Sequence, residues 1–81
     1  MRRRTVWDEY LANKDYTRAL LDFDVVVRLA PNHFRGYDVR GLVYESMGER
    51  EKAIADYRKA LSLNSRAAYA KDGLKRLGEK P

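Results

Sequence analysis

Cysteine is absent from the 81 residues, which excludes disulfide staples and thiolate metal sites and gives no sign of an oxidising compartment. Histidine occurs once, as His33, so no serine has an evident base partner and no Cys/His/Asp cluster has metal-ligand spacing. His33 follows Pro31-Asn32 at a turn, the setting of a solvated helix-start residue rather than a general base. Long apolar runs are also missing: Val25-Val26-Val27 falls far short of the ~20 residues that span a bilayer, so no membrane segment is expected. Met1-Arg2-Arg3-Arg4 leads into Trp7-Asp8-Glu9 where a secretory leader needs an apolar centre. No targeting segment is expected there, and the compartment is read as cytoplasmic. Nor can a glycine-rich loop cradle a phosphate, because Gly36, Gly41 and Gly48 are spread through a helical pattern. Catalysis, a cofactor and a bound metal are therefore not expected.

What is present is charge of both signs. The chain carries 17 Lys and Arg against 12 Asp and Glu, a net charge of +5. A basic balance raises nucleic acid as a partner, here through Arg2, Arg3, Arg4, Lys71, Lys75 and Arg76. Elsewhere the signs are interspersed, as in Glu49-Arg50-Glu51-Lys52, the ordinary pattern of solvated helix faces. Stacking residues for RNA readout are not evident. Nucleic acid is the least favoured partner.

Two prolines and five glycines punctuate the chain, and most fall where helices should end. Five helices are expected. The first, at 3–12, closes at Asn13-Lys14-Asp15; the second, at 16–30, is ended by Pro31. The third, at 33–47, is capped by Asn32 and closed by Gly48. A fourth covers 51–63, and a fifth, at 66–77, is capped by Ser65 and ended by Gly78. Ala19, Leu20, Phe23, Val26 and Val27 form the i, i+1, i+4, i+7, i+8 stripe of a buried face. Ala53, Ile54, Tyr57, Ala60 and Leu61 repeat it, and the fifth helix buries Ala70, Leu74 and Leu77. With no strand signal the class is all-α, and short connections force neighbouring helices antiparallel.

The stripes belong to a longer echo. Tyr10, Ala19, Asp22 and Leu29 recur 34 residues on as Tyr44, Ala53, Asp56 and Leu63. Arg18 with Lys52, Leu20 with Ile54, Phe23 with Tyr57 and Val27 with Leu61 are near-matches. Such a period marks tandem helix-turn-helix units. Asp22 and Asp56 each follow a cation by four residues and are expected as exposed local ion pairs. The run Tyr37-Asp38-Val39-Arg40-Gly41-Leu42-Val43-Tyr44, then Gly48, Ala53-Ile54, Tyr57, Ala60-Leu61 and Leu63, resembles a tetratricopeptide repeat. Tyr10, Tyr16, Ala19-Leu20, Phe23, Leu29 and Pro31 resemble another, and Arg40-Gly41-Leu42-Val43-Tyr44 is typical of bacterial members. The resemblance divides a single domain, 1–81, into repeat one (3–31), repeat two (34–65) and a capping helix (66–77). Three positions depart from the pattern: Trp7 stands at the place of Gly41, Ser65 at that of Pro31, and Arg50 at that of Tyr16. Gly41 and Ala53 are expected to be small because the helices of a hairpin cross there.

The resemblance implies a right-handed α-solenoid of antiparallel hairpins, about five helices in all, whose first helices line a concave peptide-binding groove. Carried over residue by residue, the groove shows Arg4, Asp8, Leu11, Arg35, Asp38, Val39, Leu42 and Glu45, extended by Tyr69, Asp72 and Arg76. Some family members grip the carboxylate of chaperone tails with lysines, asparagines and an arginine. Asp8 and Val39 stand where two of those asparagines would be, so that activity is not expected. Leu11, Val39 and Leu42 on a wet face suit an amphipathic helix or extended peptide, with Arg35 and Arg76 selecting acidic neighbours. A protein or peptide partner is thus one expectation. The other is self-association, as a helix-swapped fragment of a larger repeat protein, with the Trp7 helix as the exchanged piece.

Overall fold

The computed structural model describes residues 15–80. The helix expected at 3–12, with Thr5 and Trp7, lies outside them. Among the described residues there are four α-helices and no strand: α1 Tyr16–Leu29, α2 Phe34–Ser46, α3 Arg50–Leu63 and α4 Ala68–Arg76. The all-α class holds. The 34-residue period also reappears in the helix boundaries, since α3 begins 34 residues after α1 and α4 begins 34 after α2.

Local chemistry sets these boundaries, twice differently from expectation. The Asp15 carboxylate accepts the Arg18 N–H at 3.4 Å and starts α1, which ends at Leu29 just before Pro31. At α2 the cap is His33, not Asn32: its Nδ1 accepts the Arg35 N–H at 3.3 Å, which requires the neutral imidazole at that nitrogen. Gly48, at φ +81°, closes α2 in the left-handed conformation that side chains resist. Ser65 does not cap the last helix. Asn64 Oδ1 instead accepts the Arg66 N–H at 2.8 Å, an Asx turn that delays α4 until Ala68. Its N-cap, Ala67, offers no side chain to the first turn.

Cross-helix contacts give the packing. Arg40, Tyr44 and Tyr37 on α2 meet Asp56, Lys52 and Lys59 on α3, a run in opposite senses that makes α2 and α3 antiparallel. By contrast Glu45 meets Arg76, and Asp38 meets Tyr69 and Ala70, so α2 and α4 run parallel. Tyr57 is the hub. Its side chain is fully buried in a cluster with Ala53, Ala60, Ala67, Ala70 and Leu74. A Cβ on Gly41 would stand 2.7 Å from the Tyr57 ring, and one on Gly73 would collide with the ring's other edge. Gly41 is therefore small for the sake of the ring rather than of the helix backbones. Three glycines, Gly36, Gly41 and Gly73, are buried inside helices rather than at their ends. A second cluster, Ala19, Phe23, Val39 and Val43, joins α1 to α2.

Candidate interaction site

Two polar knots hold the helices that carry the site. Arg40 donates through Nε and Nη2 to both oxygens of Asp56, each at 2.8 Å, and through Nη1 to Asp24 at 3.1 Å. One guanidinium thus links α1, α2 and α3. Asp56 is buried, so the expectation of an exposed pair with Lys52 is corrected: Lys52 turns instead to Glu49 and the Tyr44 ring. The bidentate carboxylate pushes the Arg40 pKa further up, against the opposing effect of burial.

The second knot is Glu45. It accepts the Tyr57 hydroxyl at 2.6 Å and both Nε and Nη2 of Arg76 at 2.9 Å, joining α2, α3 and α4. Arg76, and then Tyr57, hold its carboxyl below the ordinary glutamate value against the desolvation that would raise it. A depressed carboxylate stabilises the fold above the unfolded-state pKa and loses that contribution as pH falls through the folded one. Arg76→Gln is accordingly expected to cost less than about 1 kcal/mol at pH 7, because Arg76 is half exposed. That cost should shrink as pH falls from the unfolded-state glutamate range through the lower folded-state value, which urea titrations across the acid range will check.

Between the first turns of α2 and α4 lies a cleft of about 300 Å³, walled by Phe34, Val39, Ala68 and Tyr69 with Arg35 and Arg66 at its sides. Asp38 forms its floor and is only 4% exposed. Its carboxylate lies over the backbone N–H groups of Tyr69 and Ala70, at the helix start that Ala67 leaves uncapped. Desolvation nevertheless dominates and raises the Asp38 pKa; those N–H groups and Arg35 pull the other way. The Oδ1 atom is fully buried with no hydrogen-bond partner among the described residues. The Arg35 guanidinium lies over the Phe34 ring, and neither Arg35 nor Arg66 forms an ion pair with a described residue.

The expected groove residues fall into distinct groups. Arg4, Asp8 and Leu11 lie outside the described residues. Arg35, Asp38, Val39 and Tyr69 converge on the cleft. Val39, though, is 1% exposed and belongs to the α1–α2 core, so it is not the wet apolar residue expected. Leu42 is half-buried one turn further along α2, and Asp72 is exposed away from the cleft. Glu45 and Arg76 pair with each other, one turn and more beyond the cleft. Arg66, outside the expected groove, lines the cleft as well. The sequence does not single it out, because the spacing predicts helix from residue 66, whereas Arg66 lies in the Asn64 turn before α4.

Among the described residues no group of His, Asp and Glu could hold a metal ion, and no helix is long and apolar enough to cross a membrane. Residues 39–66 match the tetratricopeptide repeat family. Over 65 residues, 80% of its length, the chain is 32% identical to Heat shock protein STI1 of Saccharomyces cerevisiae. It spans 11% of that relative. No solved structure matches. Residues 39–66 thus carry a tetratricopeptide repeat, a helical repeat of the kind that serves protein–protein interaction.

Proposed function

We propose that this module takes an extended peptide or a partner helix along the shared face of α2 and α4, within a domain of two repeats (3–31 and 34–65) and a capping helix (66–77). The observation that supports it is the cleft itself. Parallel helices bring an aromatic wall, two cations without ion pairs among the described residues and a buried carboxylate into one concavity, the usual composition of a recognition site. Leu42, Glu45, Asp72 and Arg76 extend the proposed contact surface toward the far ends of the two helices. Leu42→Asp is expected to abolish partner association while leaving the far-ultraviolet circular dichroism unchanged, since Leu42 is only half-buried. Undiminished association with helicity intact would overturn the assignment.

One observation favours self-association as a second reading. Leu21, Val25 and Leu29 stand at i, i+4 and i+8 on α1 and are 63%, 47% and 79% exposed. Such a stripe is the seam of a helix that meets no partner on that face among the described residues. A chain that sediments as a dimer, and as a monomer after Leu21→Lys with Leu29→Lys, would favour this reading over the first.

A further inference from the structure

The geometry points to a second copy of this chain as the occupant of the exposed face of α1, paired antiparallel through the same face with Val25 on the two-fold axis. This rests on the self-association reading above and goes beyond it by fixing the seam and its direction. Leu21, Val25 and Leu29 make one ridge of α1, and Val26 beside them is 41% exposed. Comparison with the next unit shows that this ridge is not the ordinary back of a repeat. One period on, Leu21 and Val25 are replaced by Ala55 and Lys59, both exposed, and Lys59 lies over the Tyr37 ring. Leu63, the counterpart of Leu29, packs against the Tyr57 cluster, whereas Leu29 is 79% exposed. The second unit thus keeps a solvated back where the first carries branched aliphatics, and a contiguous apolar face of that kind marks an interaction surface.

The charges beside the ridge select the occupant and its direction. Asp24 and Arg28 follow one another along one flank; Arg18, Asp22 and Val26 follow along the other. A two-fold axis at right angles to α1 lays each flank against its own copy. Leu21 then meets Leu29 of the second copy, Val25 meets Val25, and Val26 meets Val26. Asp24 falls about 3 Å along the helix axis from Arg28 of the second copy, and symmetry makes this pair twice. Both groups are available. Arg28 forms no ion pair with a described residue, and the Asp24 side chain stays 43% exposed beside its bond to Arg40. A parallel pairing would set opposite flanks together, with Asp24 beside Asp22 and Arg28 beside Val26, and would forgo both pairs. None of the seam residues lines the α2–α4 cleft, so the pairing does not draw on that surface.

Because the chain has no cysteine, each introduced thiol is the only one in its chain, and cross-linking reads the register directly. With a short bis-maleimide reagent at about 1 mM protein, Val25→Cys is expected to link to itself. Leu21→Cys and Leu29→Cys should each link poorly alone, since like positions lie about 12 Å apart along the axis, and should link when mixed. Arg28→Glu, read by sedimentation, should weaken the dimer about tenfold by turning two attractive pairs repulsive. These side chains are exposed, so the circular dichroism of every variant should match the parent. Self-links at Leu21→Cys and Leu29→Cys as strong as at Val25→Cys, a mixture that fails to link, or a dimer indifferent to Arg28→Glu would overturn the inference and leave self-association by another surface or direction standing. A parent chain that sediments as a monomer at about 1 mM would overturn both.

Discussion

Tyr57→Ala is expected to remove a large share of the molecule's stability. The side chain is fully buried, and truncating a buried aromatic costs about 3–5 kcal/mol in lost transfer energy and residual cavity. A chain of this length has about 4–12 kcal/mol to lose. Collapse around the gap offers little relief, because the two surfaces that pinch the ring are Gly41 and Gly73, which have no side chains to move inward. The hydroxyl separates packing from polarity. Tyr57→Phe keeps the ring and orphans one bond to Glu45, at a cost of about 1–3 kcal/mol. Urea denaturation of both variants checks the order. A loss below about 1 kcal/mol for the alanine variant would refute the hub. A double-mutant cycle gives a finer test: Gly73→Ala should destabilise the parent but be tolerated once Tyr57 is alanine.

Arg40→Leu should be nearly as damaging, for a different reason. Removing the guanidinium leaves Asp56 without its two bonds in a site where its side chain is 8% exposed, and an orphaned buried charge costs about 3–5 kcal/mol. Asp24, 43% exposed, finds water and adds little. The control is Arg40→Leu with Asp56→Leu, which removes both charges and is expected to recover most of the loss. If the single and double variants were equally unstable, Arg40 would matter for its hydrocarbon packing against Tyr37 and Tyr44, over whose rings it lies, and not for the ion pair.

The contrast between these residues shows what the sequence made legible. Helical periodicity marks Ala19, Ala53, Tyr57 and Ala60 as buried, the alanines also by their small size, and the repeat sets their register. Asp56 did not, because Lys52 four residues before it suggested a local pair while its partner sits on another helix. A spacing was nonetheless available: Arg40 reaches aspartates 16 residues before and after it, and Tyr57 is pinched by glycines 16 residues before and after it. That interval is the step from mid-helix to mid-helix across one hairpin. Gly73 carries no repeat signal, because it stands inside a capping helix among lysines and an arginine, with no earlier glycine in register to mark it. The candidate site was legible only in part. Arg35 and Tyr69 stood out as groove positions, whereas the burial of Asp38 and Val39 and the pairing of Glu45 with Arg76 depend on how closely α2 and α4 approach, which no pattern within a single helix encodes.

The return of helix starts at a fixed interval of 34 gives the molecule the character of a short one-dimensional lattice. Inserting a whole period between α2 and α3 would leave each helix facing the kind of neighbour it has now. A change of length inside α2 or α3 would instead shift Tyr57 against Gly41 and Arg40 against Asp56 together, because both fittings span the same hairpin. Such a chain can grow or shrink in evolution by whole units, while frame-preserving insertions of intermediate size are penalised twice over.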